Sequence, residues 1–155
     1  MTDRRDPINP TDDAARALAR DLLEGARFGA LATHLDGAPF VSRVAVAAEG
    51  GMPLVLVSTL AAHTRGLLAD PACALLVGEP GPKGDPLTHP RMTIVARAEE
   101  APKVAFRDHW LAIHPKAALY FDFADFRLFR LVPKAVHLNG GFGEAYRLTA
   151  ADLIP

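Results

Sequence analysis

Five polar side chains within STLAAHTR have the types and spacing to hold an anion: Ser58, Thr59, His63, Thr64 and Arg65. Ser58 and Thr59 follow the apolar run Leu54–Val57 and are good N-cap types, and Leu60, Thr64, Leu67 and Leu68 recur at helical spacing before Asp70-Pro71. A helix start offers backbone N–H groups without partners and the positive end of the helix dipole. An arginine one turn further on adds a charge-assisted contact that suits phosphate. An ordinary capped helix with a solvated His63 and Arg65 has the same signature, so spacing alone leaves both readings open. Just upstream, alternation in Phe40–Val46 sends Ser42 to one face of a strand and Arg43 to the other.

Other chemistries find no support. The chain contains no Cys-x-x-Cys, His-Glu-x-x-His, Gly-x-Ser-x-Gly or Gly-x-Gly-x-x-Gly motif. His109 and His114 are five apart, a spacing that does not share one helix face, which argues against zinc. Asp122 and Asp125 in FDFADF read as turn formers rather than a carboxylate pair. The single cysteine, Cys73, has apolar neighbours and reads as a small buried hydrophobe. With 17 basic and 18 acidic residues the net charge is -1, so no electrostatic footprint marks nucleic acid as a partner. No apolar run approaches membrane-spanning length and the N-terminus lacks a signal-like apolar segment, so the expectation is a cytoplasmic protein with no membrane partner.

The elements that must position these residues follow from periodicity and turn chemistry. Met1 to Pro10 is expected as a flexible arm and residues 11–155 as one domain. Thr11 or Asp12 caps a first helix ending at Gly25, with Ala14, Leu18, Leu22 and Leu23 as its apolar stripe. A strand from Arg27 to Leu35 joins the next through Asp36-Gly37, a tight-hairpin dipeptide. Further strands are expected at Leu54–Val57, Ala72–Gly78, Arg91–Glu99 and Phe126–Leu138, with Pro133 marking a bulge or edge in the last. A helix with Val104, Trp110, Leu111 and Ile113 as its hydrophobic surface is expected from Pro102 to about His114, and a short helix over Lys116–Phe121. EPGPKGDPLTHP reads as a long functional loop. The whole reads α+β, a largely antiparallel barrel or curved sheet with flanking helices.

In this order the segments FGALATHLDGAPFVSRV, LVSTLAAHTRGLLADP, DPLTHPRMTIVARAE and HPKAALYFDFADFRLFRLVPKAVHLNGGFG resemble the FMN-binding split-barrel superfamily of pyridoxamine 5′-phosphate oxidase. Within it, the chain resembles the haem-utilisation branch, which is haem oxygenase-like. The resemblance implies a six-stranded antiparallel split barrel and a homodimer with FMN in the grooves between subunits. It puts Ser42 and Arg43 on the strand beside the flavin, Ser58 and Thr59 where the next strand ends, and His63, Thr64 and Arg65 at the phosphate. It brings Arg91 and Met92 toward the ring, and Asn139, Gly140 and Gly141 toward the neighbouring subunit's flavin. By itself the Asn139–Gly143 cluster reads as a bulged hairpin turn.

The function implied is that of an FMN-dependent oxidoreductase acting on a small molecule. The chain ends RLTAADLIP rather than in the basic motif of a pyridoxamine phosphate oxidase proper, which argues against vitamin B6 oxidation. Alternatives are a flavin-binding or redox-sensing protein without turnover, and haem binding or degradation with His63, His89 or His137 as a ligand. Members of the haem branch often carry a C-terminal helical domain with the haem-ligating histidine, which has no counterpart in this sequence.

Overall fold

The structure is a computed structural model and describes residues 6–155. Helix α1 spans Asp13–Gly25, with Asp12 Oδ1 accepting from the Ala15 N–H at 2.8 Å. Its buried stripe is Ala15, Ala19 and Leu23, one position round from the expected one: Ala14 is exposed, and Leu18 and Leu22 flank the contact. Small alanines at i and i+4 let the helix sit close to the barrel, whereas a stripe drawn through leucines alone misses that face.

Strands β2 (Phe28–Leu35), β3 (Ala38–Glu49), β4 (Met52–Ser58), β5 (Ala72–Val77), β6 (Arg91–Glu100) and β7 (Phe126–Asn139) make a closed antiparallel barrel. Pairing runs β3-β2-β5-β6-β7-β4 and returns to β3. Two short strands lie outside it: β8 (Ala145–Leu148) extends the edge of β7, and β1 (Ile8–Asn9) pairs parallel to β8. Part of the expected N-terminal arm, residues 1–5, lies outside the described residues, while Ile8 and Asn9 are in this ladder. Asp36 and Gly37 turn between β2 and β3 with φ of 52° and 79°, the geometry that the Asp-Gly pair signals. Pro133 sits at a bulge of β7, where pairing to β6 shifts from Ala96–Pro133 to Val95–Ala135. Proline, which has no N–H to give a ladder, is tolerated there.

Alternate side chains fill the barrel, among them Leu31, Val46, Leu75, Ile94, Leu131 and Val136, all fully buried. A second cluster forms outside β3, β4 and β7, where Trp110, Ala117 and Phe121 cover Ala47, Leu54, Leu56 and Leu128. Its cover is not one helix from Pro102 to His114. A 3-10 turn, Lys103–Phe106, precedes helix α3, Arg107–Ile113, and a second 3-10 turn, Pro115–Leu119, follows. Val104 is 85% exposed and takes no part. His109 and His114 both face β3, with Nε2 of each within hydrogen-bond distance of a backbone carbonyl, Ala48 O at 2.7 Å and Val46 O at 2.8 Å. They share a target because the chain leaves the helix at Ile113, so the five-residue spacing no longer follows helical geometry. Among the described residues no group of three or more His, Cys, Asp or Glu could hold a metal ion, and no helix is long and apolar enough to cross a membrane.

Candidate functional site

Helix α2 (Ala62–Ala69) lies at the barrel end where β4 finishes and β7 begins, and it gathers one half of the candidate residues. Its cap is Ala61, with no side-chain hydrogen bond, so the expected Ser58 or Thr59 cap is wrong by two or three residues. Ser58 Oγ instead accepts from the Leu60 N–H at 3.2 Å, and the Thr59 N–H donates to Asp125 O at 2.7 Å. The two hydroxyl residues form a turn that delivers the chain to the helix. Leu60, expected on the buried stripe, is 87% exposed because it belongs to that turn.

Within α2 the three candidates differ. His63 is half-buried, and its Nδ1 lies 2.9 Å from Ser42 Oγ on the inward face of β3. Burial pushes its pKa below the ordinary 6.5, so the ring is neutral at pH 7. Arg65 is exposed, its guanidinium 3.7 Å from Asp36 Oδ2 in an open ion pair that water screens. Thr64 departs from the expected ligand set. It is fully buried with its hydroxyl unpartnered, because the stripe through Thr64 and Leu67 faces the barrel. Gly66, which the sequence did not flag, explains how close that contact is: a Cβ there would lie 2.8 Å from His34 O and 3.0 Å from Thr33 Oγ1. The C-terminal end of α2 is tied by His34 Nδ1 to Asp70 Oδ2 at 2.9 Å. The Ala72 N–H and then His34 hold that carboxyl below the ordinary carboxylate value.

Arg43, next to Ser42, points outward, with its guanidinium 5.4 Å from the ring centre of Phe28. Both line a cavity of about 560 Å³ between the end of α1, the start of β2 and the end of β5, with Leu22, Leu76, Gly78 and Pro80 among its walls. Phe28 and Leu76 were legible only as strand residues. The signal that marks them is apolar residues on both faces of β2 and β5, since a strand with one solvated face alternates. Beyond the cavity, the outer face of β3, β2, β5 and β6 exposes Val41, Phe28, Leu76 and Val95.

The remaining candidates are at the barrel end away from α2, where β5 ends and β6 begins, and Gly78 of the Arg43 cavity lies against Arg91 there. The length of β7 separates Phe126, paired to Ser58, from Asn139, on the order of 40 Å along the strand. Met92 does not face a surface groove. It is fully buried inside the barrel, opposite Val77 and Leu138, as its place in the alternation of β6 requires. Arg91 is committed to the long loop, with Nη1 donating to Leu87 O at 2.8 Å and His89 O at 3.3 Å. Asn139 Oδ1 accepts from the Gly141 N–H at 3.0 Å, and a Cβ on Gly140 would meet Glu144 Oε2 at 2.9 Å. This is a hairpin turn between β7 and β8, without the expected bulge in the pairing, packed against α1 through Leu18 and close to Thr88 of the loop. His137 is exposed on β7, and both ring nitrogens of His89 are engaged inside the loop, by the Gly81 N–H at 3.1 Å and Lys83 O at 2.7 Å.

Comparison with known proteins agrees with this architecture. A family model described as pyridoxamine 5′-phosphate oxidase matches residues 15–140. A non-canonical heme oxygenase of the chloroplast from Arabidopsis thaliana is 35% identical over 136 residues, 82% of this chain and 40% of that protein. A heme binding protein from Mycobacterium smegmatis has a structure 30% identical in sequence, with a TM-score of 0.84 over 94% of this chain and 61% of that one. The chain thus spans less than two thirds of either relative. A putative pyridoxamine 5′-phosphate oxidase from Listeria innocua shares the fold at 15% identity, with a TM-score of 0.67 over 81% of this chain and 98% of that one. The family model covers most of the chain, whose described residues form a closed six-stranded barrel with two added strands and three helices, and the chain belongs to the pyridoxamine 5′-phosphate oxidase family.

Proposed function

We propose that the protein is an FMN-binding flavoprotein, an oxidoreductase whose flavin lies in a groove between two copies of the chain. The observation that carries this reading is the grouping at α2: a neutral, half-buried His63 against Ser42, with an exposed Arg65 one half-turn on. A phosphate needs donors and one available cation at a helix start, and these residues fit it. Ser58 and Thr59 border the same end, and Arg43 with Phe28 and Leu76 supplies an apolar wall with one charged edge for a flat ring. Bound flavin would supply hydride or electron transfer, and the protein would orient it and limit its exposure to water.

The second copy has a specific reason. Val41, 63% exposed, shares with Phe28, Leu76 and Val95 one outer face of the barrel, interrupted by Arg43, that a partner would cover. A partner would also bring its own Asn139–Gly141 turn to the groove, which one chain holds at the far end. Haem in the same groove is the second reading, favoured by the plant heme oxygenase and the mycobacterial heme binding protein among the relatives. His63 and His137 have ring nitrogens available for it, and His89 does not.

The deciding experiment is the visible spectrum of the purified protein before and after adding FMN and, separately, haem, with sedimentation to give the oligomeric state. One FMN per subunit in a dimer that Val41→Glu dissociates is the expected result. A Soret band with no flavin uptake would replace FMN by haem.

A further inference from the structure

The hydrogen bond between Ser42 and His63 can run in two directions, and the direction decides what His63 can bind. A neutral imidazole has one N–H and one lone pair. If Nδ1–H donated to Ser42, Nε2 would carry a lone pair suited to a metal, and the serine proton would need another acceptor. Ser42 Oγ has no other protein partner among the described residues, and the residue is half-buried. If Ser42 donates to Nδ1, its proton is used and the ring proton sits on Nε2.

We infer that Ser42 is the positioning residue of His63: its hydroxyl donates to Nδ1, fixes the proton on Nε2, and makes His63 a donor to a phosphate oxygen rather than a ligand for haem iron. The inference rests on the reading that the cofactor's phosphate sits at α2. It deepens that reading by separating the two cofactors, since an iron ligand requires the lone pair that this tautomer does not offer at Nε2. Burial keeps the ring neutral, so the tautomer governs at pH 7. The charged groups nearby in the chain do not replace that control: Arg65 faces Asp36, and Arg43 leaves the opposite face of β3.

Long-range proton–nitrogen NMR of the imidazole in the full chain, without added cofactor, tests this directly. The expected result is protonation at Nε2, lost to a tautomer mixture in Ser42→Ala and restored in Ser42→Thr. A ring protonated at Nδ1 would overturn it. Affinities for FMN and riboflavin, which differ only in the phosphate, give a second readout. Ser42→Ala should weaken FMN about fivefold more than riboflavin, the size of one hydrogen bond. Equal effects on the two would also overturn it. If the wild type takes up no FMN, the flavin reading fails by itself, and the ring tautomer still decides the role of Ser42.

Discussion

The two ends of the barrel carry the same kinds of residue and use them differently. At the α2 end Arg65 reaches only an open carboxylate at 3.7 Å, and His63 touches one hydroxyl, so both keep hydrogen-bonding capacity. At the far end Arg91 holds two carbonyls, His89 is bonded through both nitrogens, and Asn139 closes its own turn. Polar side chains that satisfy backbone groups build a loop, and those left with capacity can meet a ligand. By this measure the α2 end keeps the capacity that a ligand needs, and the far end spends most of its own on the loop, although Gly78 and Pro80 of that end also wall the Arg43 cavity.

The largest test of the contrast is steric. Gly78 precedes the long loop with φ of 101°, and a Cβ there would lie 2.6 Å from Pro90 O and 2.7 Å from Arg91 Cα. Gly78→Ala should cost about 2–4 kcal/mol, combining backbone strain with overpacking against main chain. Gly66→Ala meets a carbonyl at 2.8 Å but keeps an ordinary helical φ, so about 1–3 kcal/mol is expected. Denaturant midpoints rank the two. The loop variant should be the less stable.

The arginines separate the ends more finely. Arg65→Ala should leave stability within about 0.5 kcal/mol, as for exposed pairs, while weakening flavin binding by about 1.5–3 kcal/mol, one charge-assisted contact. Arg91→Ala should do the reverse, losing about 1–2 kcal/mol of stability with its two carbonyl bonds. Calorimetry of both variants with FMN decides the matter, and an Arg91→Ala loss confined to affinity would make the far end part of the site within one chain.

How much of this the sequence disclosed depends on the range of the interaction. Asp36-Gly37 and the bulge at Pro133 were readable because turn chemistry is local. So was the barrel's composition, through alternation. The helix cap two residues late, the stripe on Ala15 rather than Ala14, and the burial of Thr64 and Met92 were not, since each depends on which face meets a distant strand. Candidate residues were legible as types. Their division between two barrel ends was not, because β5 carries the chain across the barrel between α2 and Arg91, and β6 and β7 then bring it back to Arg91's end at Asn139.

A smaller effect probes how α1, which walls the cavity beside Arg43, is held. Asp152, in the closing 3-10 turn Ala150–Leu153, accepts from the Thr149 N–H at 2.8 Å and from Arg16 Nε at 2.8 Å. These bonds, the backbone one first, hold its carboxyl below the ordinary 3.8. The folded state therefore binds this proton less readily than the unfolded chain. The stabilisation is fully present above about pH 4 and fades as pH falls through the lowered folded value. Asp152→Asn should flatten the acid limb of a stability–pH profile in that window while the wild type keeps its slope. It should also loosen α1 at pH 7, since Arg16 keeps only Asp13, on its own helix, as a charged partner, and amide exchange along Asp13–Gly25 would report it. With the cavity walling the flavin ring as proposed, FMN affinity in Asp152→Asn should fall as α1 loosens. Unchanged affinity would take the cavity out of the site and leave the α2 end alone.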